Sequence, residues 1–363
     1  MDKCVSVLMC VYNTPLEYLK EAVDSILSQT YKNFEFIIVD DCSDDEKVIQ
    51  YLSGIAKENE SIAVLRNSQN IGLTKSLNVG LDSCCGDYIA RMDSDDISLP
   101  ERLSRQVEYL DSNMNVALVG SDIICFGKEM SELDTSHINN PCDDYETYQV
   151  RSLIQHSGPP HPTFMFRRNF LMENNIRYRE DILKAQDYGI MTDIMKCGGV
   201  IKKLHFPLLK YRIHSGQISA NAEIEQKLYQ LRVSFDYVKA IFSELTNEEC
   251  LSIALLGCEY GVSTIKQCIE SNDSLRRVFS DIEEVFDLLH KPNIYINAQK
   301  KIFSLNEGKK FFDDKKLKYE LSYKWWKRAL HSYKEYGAEW LINMYTILSY
   351  RYVIIRIIRK RKG

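Results

Sequence analysis

The 363-residue sequence predicts an α/β fold: a mostly parallel sheet flanked by helices, Rossmann-like, followed by an all-helical C-terminal region. Three observations carry this expectation. Short β-rich runs alternate with helix-length amphipathic segments through the first half, as in strands joined by crossover helices. The residues just after these runs are polar, as at the carboxyl edge of an open sheet, where ligands bind. After Ser219 the texture changes to nearly unbroken helical periodicity. The expected division is therefore a ligand-binding domain over 1–220 and a helical region over 221–363.

The elements follow in order. Strands are expected at Val5 to Val11, Phe34 to Asp40, Ile62 to Arg66, Tyr88 to Met92 and Val116 to Cys125, where β-branched and aromatic residues cluster. Leu16, Leu19, Val23, Ile26 and Leu27 recur at helical spacing after the start signal Asn13-Thr14-Pro15, and Leu73, Leu77, Gly80 and Leu81 repeat the pattern. A mixed section from Tyr145 to Ser219 contains Gly158-Pro159-Pro160-His161-Pro162, which cannot be helix interior and is expected to wall the site. Lys184-Ala185-Gln186-Asp187-Tyr188 opens a short helix that ends near Cys197-Gly198-Gly199.

The 45% hydrophobic and 27% charged fractions are those of a globular chain with a sizeable core. The net charge of −5 is uneven: Arg351, Arg356, Arg359, Lys360, Arg361 and Lys362 crowd the end, leaving −11 on residues 1–350. An acidic body argues against nucleic-acid binding, which neutralises phosphates with Lys and Arg. The basic tip instead points to an anionic membrane surface. Residues 340–358 are too polar for a span, so a helix lying at the interface is expected, with Trp340, Tyr345, Tyr350 and Tyr352 at headgroup depth. The alternative is a terminal helix packed on its own domain. Eleven cysteines without a C-x-x-C pair, and no signal peptide, read as reduced thiols in a cytoplasmic protein, peripheral at the inner face of the membrane.

Asp93-Ser94-Asp95 is the only D-x-D triplet, and it follows a strand-like run. Two carboxylates there suit a hard divalent cation, which is commonly held by one or two acids plus substrate phosphates. The same residues also suit an ordinary solvated turn. No G-x-G-x-x-G follows the first strand, which excludes a dinucleotide dehydrogenase. A nucleotidyltransferase would place a glycine-rich basic loop there, where this chain has Tyr12-Asn13-Thr14-Pro15.

Val5 to Asn13, Ile37 to Ser43, Asn70-Ile71-Gly72 and Asp93 to Asp96 stand in an order and spacing that resembles family 2 glycosyltransferases of the GT-A type. The similarity covers roughly residues 4–216 and continues in His161 to Arg168, Gln186-Asp187 and Tyr211 to Ser219. It implies an inverting, metal-dependent hexosyltransferase of bacterial surface polysaccharide synthesis. The donor would be a nucleotide-diphosphate sugar, most simply a UDP-sugar, and the acceptor a hydroxyl on a glycan or lipid-linked oligosaccharide. It also implies roles. Tyr12 would stack on the base, Asp41 would accept the uracil imide proton, and Asn70 and Gly72 would shape the loop under the ribose. Lys75 and Asn78 would face the nucleotide, and Asp93 would meet the ribose. Asp95 and His214 would hold Mn²⁺ or Mg²⁺, and Asp187 would be the catalytic base. From their own positions, Asp96 would cap the next helix, Arg91, beside the acids, would support them by an ion pair, and His161, held between two prolines, would contact the acceptor. Where the family commonly has Glu-Asp, this chain has Gln186-Asp187, which puts any role of the first acid in doubt. A catalytically silent nucleotide-sugar-binding or scaffold protein remains the alternative from another class.

Overall fold

The computed structural model describes residues 3–127, 148–149, 151–214, 223–289 and the short pieces 294–295, 297–298 and 301–302. Ser215 to Ser219 and the basic aromatic tail of residues 340–363, singled out above, lie outside the described residues.

Continuous apolar runs give the central strands because helices cover both faces of the sheet. Strands β1 (Val5–Val11), β2 (Phe34–Asp40), β3 (Ile62–Arg66) and β4 (Tyr88–Asp93) are joined by α1 (Leu16–Leu27), α2 (Glu46–Glu58) and α3 (Leu73–Ser83). Helix α1 starts after Pro15 and buries Leu19, Ala22, Val23 and Ile26, one stripe at helical spacing. Helix α2 is capped by Asp45, whose side chain accepts from the Lys47 amide at 2.8 Å. Beyond β4 come β5 (Ile97–Ser98), α4 (Arg102–Ser112), β6 (Val116–Phe126), β7 (Met165–Arg167), α5 (Arg168–Glu173), α6 (Gln186–Lys196) and β8 (Val200–Arg212).

The eight strands form one sheet in the order β3-β2-β1-β4-β7-β6-β8-β5. Its first half is parallel: β1 pairs with β2 and β4, and β2 with β3. Its second half is mixed, so that among the described residues four of the seven strand pairings are parallel and three antiparallel. Strand β7 runs antiparallel to both neighbours, β5 antiparallel to β8, and only β6 with β8 is parallel there. The reason lies in the Gly158 to Pro162 segment. It enters a 3-10 turn at His161–Thr163 and delivers three residues into the gap between β4 and β6 from the opposite direction. Strand β8 was hidden because its run is rich in Lys and broken by Pro207, which sits where the pairing with β6 slips register.

Buried polar side chains tie this half to the loops. Gln106 of α4 donates to the Thr163 carbonyl at 2.7 Å, and Arg102, fully buried, donates to the Arg91 carbonyl at 2.6 Å. Asn78 on α3 grips the Tyr178 backbone from both sides. Its amide nitrogen donates to the Tyr178 carbonyl at 2.8 Å, and its oxygen accepts the Tyr178 amide at 3.0 Å. Asn78 therefore does not face a ligand, and the expectation that it would is corrected. Two buried backbone groups would be left unpaired without it.

The described residues fall into two compact units. One holds those up to Tyr148 and Ser157–Glu223; the other holds Gln149–His156 and those from Ile224 onward. The segment 149–156 thus groups with the helical unit, although it precedes residue 221. Its Leu153 and Ile154 are buried, the Leu153 carbonyl accepts from the Ser234 hydroxyl at 2.8 Å, and Gly257 lets the backbone pass close to Ile154. The helical unit contains α7 (Glu223–Ile241), α8 (Asn247–Ala254), α9 (Val262–Ser271), α10 (Asp273–Phe279) and α11 (Val285–Leu288). Thr246 and Glu249 form a capping box at the start of α8. Among the described residues no helix is long and apolar enough to cross a membrane.

Asn78→Ala is expected to lower the unfolding free energy by about 2–4 kcal/mol, since it strands two buried backbone groups. Urea denaturation checks this, and an unchanged midpoint would refute the clamp.

Candidate active site

The site is set by where the parallel strands stop. Val11 pairs with Asp40, Asp40 with Arg66, and Cys10 with Asp93, so Tyr12, Asp41, Asn67 and the Asp93-Ser94-Asp95 triplet emerge side by side on one rim.

On the β2 side the loop is organised by a carboxylate. Asp41, buried, accepts the Ile71 amide at 2.9 Å and the Asn67 side-chain amide at 2.8 Å on one oxygen, and the Gly72 amide at 2.8 Å on the other. A carboxylate has about four acceptor positions, so one remains on Oδ2. Gly72 adopts φ +85°, a conformation that suits only glycine here although the space around it is open. Next to Asp41, Asp40 accepts the Ser43 amide and pairs with Arg66. Asn13, itself at φ +50°, accepts the Asp44 amide at 2.9 Å. Tyr12 is 52% exposed, so its ring is not a core side chain and presents a face to the rim. Asn70 and Lys75 are exposed on the same loop and the first turn of α3.

On the β4 side the acids are held differently. Arg91, 3% exposed, grips both oxygens of Asp93, one at 2.7 Å. Burial pushes Asp93 up from the usual carboxylate range against the pull of Arg91, and the charges of Asp95 and Asp187 add to the rise. Asp95 turns the other way, with its Oδ2 3.0 Å from His214 Nε2. Ser94 is fixed by a 2.6 Å bond between its hydroxyl and that of Thr14. Asp96 does not cap a helix, which corrects the expectation; it is buried and its Oδ1 accepts the Arg212 amide at 2.9 Å. Helix α4 begins instead after Glu101. Burial, with Asp93 and Asp95 nearby, drives Asp96 well above the usual carboxylate range.

Among the described residues no group of three or more His, Cys, Asp or Glu converges on a metal position. The pair Asp95 and His214 nevertheless fits the small protein share of a hard-cation site that substrate phosphates and water complete. Asp93 is engaged by Arg91 and is the poorer ligand of the two acids.

Asp187 lies in the first turn of α6, where a negative charge is favoured by the helix dipole, and accepts the Tyr188 amide at 2.8 Å. Its charge acts on both Asp93 and Tyr178, so it shares the electrostatic environment of the β4 end. Gln186 folds back on its own loop, donating to the Leu183 carbonyl at 2.6 Å. His161 Nε2 lies 2.8 Å from the hydroxyl of the buried Tyr178, and its ring meets Phe164 edge-on. Burial raises the Tyr178 phenol, so it stays protonated at neutral pH. Sequence reasoning missed the parts played by Asn67, Thr14, Tyr18, Glu21 and Arg212; Thr14 was read only as part of a helix start, and Arg212 only as part of the Tyr211 to Ser219 segment.

The Glycosyl transferase family 2 model matches residues 6–174. A Haemophilus influenzae protein named an uncharacterized glycosyltransferase is 32% identical over 236 residues, covering 62% of this chain and 71% of its own. The O-antigen biosynthesis glycosyltransferase WbnJ of Escherichia coli is 31% identical, with 63% of this chain and 87% of the relative covered. The chain belongs to glycosyl transferase family 2. The amylovoran biosynthesis glycosyltransferase AmsE of Erwinia amylovora, 29% identical over 63% of this chain and 85% of its own, adds a second relative from bacterial polysaccharide synthesis. Staphylococcus aureus TarS, crystallised with UDP-GlcNAc, superposes with a TM-score of 0.57 over 78% of this chain and 83% of its own, at 19% identity. That likeness establishes the fold as GT-A type.

Asp41→Asn would turn an amide donor toward a backbone N–H and is expected to cost about 1–3 kcal/mol. Hydrogen exchange at the Ile71 and Gly72 amides should accelerate; unaltered protection would show that the carboxylate does not hold the loop.

Proposed function

We propose that this glycosyltransferase is inverting and cation-dependent, moving a sugar from UDP to a hydroxyl on a glycan or lipid-linked oligosaccharide of a bacterial surface polysaccharide. The observation that carries the reading is the assembly on one rim of an exposed aromatic, Tyr12, a buried acceptor, Asp41, and the Asp95–His214 pair, with Asp187 acting electrostatically on the same strand end.

Tyr12 stacks on the base, and the remaining position on Asp41 Oδ2 accepts the imide N–H of uracil, which cytosine lacks. Asn70 and Gly72 bring the loop close beneath the ribose, whose hydroxyls Asp93 accepts while Arg91 keeps its oxygens in place. The exposed ammonium of Lys75, in the first turn of α3, would offset phosphate charge on the donor. Asp95 and His214 would hold a Mn²⁺ or Mg²⁺ ion, which when bound would supply Lewis-acid neutralisation of the leaving diphosphate. Asp187 removes the proton from the acceptor hydroxyl as that oxygen bonds the anomeric carbon, while the bond to the diphosphate breaks on the opposite face and the configuration inverts. His161, braced by Tyr178, would contact the acceptor. Relatives named for O-antigen and amylovoran biosynthesis support a glycan acceptor. The basic aromatic tail would bring the enzyme to an anionic membrane surface where lipid-linked acceptors reside.

A turnover screen over UDP-, GDP- and dTDP-sugars, each with and without Mn²⁺, tests this directly. Release of nucleotide is expected only from a UDP-sugar and only with the cation; release from another donor alone, or undiminished release in EDTA, would overturn the respective part. Asp187→Asn should retain UDP binding while transfer falls by about 10²-fold or more, the scale of a lost general base. Weakened binding with retained turnover would reassign Asp187.

A further inference from the structure

Arg212 is the most heavily engaged side chain near the site that the proposed chemistry does not use. It ends β8, two residues before His214, and is 8% exposed. Its Nε donates to the Asp95 carbonyl at 2.7 Å, a second nitrogen pairs with Glu21 on α1, and its backbone amide donates to Asp96 at 2.9 Å. The guanidinium lies over two rings, 4.1 Å from the Tyr18 centroid and 4.4 Å from that of Phe126. Tyr18 in turn meets the His214 imidazole, with ring centroids 5.7 Å apart. Arg212 therefore bonds the Asp95 backbone and the Asp96 side chain from a position two residues before His214, and its aromatic partner Tyr18 meets the imidazole itself.

We infer that Arg212 is a positioning residue for the cation pair, holding Asp95 and His214 in register through Tyr18 and Glu21 of α1. The physical argument is one of geometry. Asp95 and His214 are 119 residues apart and meet only through the ends of β4 and β8. Those ends are joined by β5, a two-residue strand whose own pairing with β8 fixes little. The fork of Arg212 supplies the missing constraint: a planar guanidinium bonds a carbonyl and a carboxylate while stacking on aromatic faces, which an ammonium cannot do at once. Groups that orient metal ligands from behind commonly govern affinity by roughly 10- to 100-fold.

The inference rests on the cation reading above, and the test separates the two. Mn²⁺ uptake by the full-length protein is titrated by electron paramagnetic resonance in the presence of UDP, alongside UDP affinity in EDTA. Arg212→Lys should weaken Mn²⁺ binding by about 10-fold or more with metal-free UDP affinity retained. Glu21→Gln, a change at an exposed helix position that leaves the core intact, should weaken it in the same direction by less. A merely structural role would move both ligands together. If wild type binds Mn²⁺ and Glu21→Gln binds it equally well, the inference is overturned, whether or not Arg212→Lys folds; an equal loss of metal-free UDP affinity in Arg212→Lys overturns it also. A wild-type protein that takes up no Mn²⁺ overturns the cation reading, and this inference with it.

Discussion

The register of the parallel half of the sheet is the constraint on which the site depends. Because β1, β2, β3 and β4 end within a residue or so of one another, four unrelated loops open on one edge. A shift of one residue would reverse every side chain in the shifted strand, turning apolar core toward the wrong face. The apolar runs of β1 and β2, buried on both faces, resist such a slip, so the stability of the core and the alignment of the rim are one property.

Charge is managed on that rim by pairing acids with buried arginines rather than by exposing them. Asp93 is matched by Arg91, the Asp95 and Asp96 backbone and side chain by Arg212, and Arg102 lies fully buried beneath them, its own proton affinity pushed down to about 9 by burial and by Arg91. Such pairs add little net stability, since desolvation offsets their attraction. Their value lies in orientation: a carboxylate bonded twice from one side presents its remaining positions to the other. Asp41 follows the same logic with neutral donors, three N–H groups leaving a single acceptor position.

Family membership and the bacterial polysaccharide relatives define the chemistry in outline, and this chain's own details lie in its departures. Gln186, in place of the acid common at that position, bonds its own loop and leaves Asp187 the only carboxylate of the pair. The His161 turn is braced against Tyr178, whose backbone is in turn clamped by Asn78 from α3.

Much of this was legible without coordinates. The bounds of β1, β2 and β3 follow from short runs dense in apolar and β-branched residues, interrupted by Ser6 and Glu35, and the residues at their ends are polar because they stand at the open carboxyl edge of the sheet. The start of α6 and its end near Cys197 were equally readable. Strands β7 and β8 were not: one is too short to show a period, and the other carries lysines and a proline that only its position beside β6 and β5 makes tolerable. Nor could sequence place Asp96 under the Arg212 amide, Asn78 on the Tyr178 backbone, or Arg212 between two rings. Local pattern determined which segments are strands and which residues stand at their ends; only the tertiary structure decided which distant side chains meet there, because hydrogen-bond geometry across more than a hundred residues is set by the packing of whole elements and leaves no period in the chain.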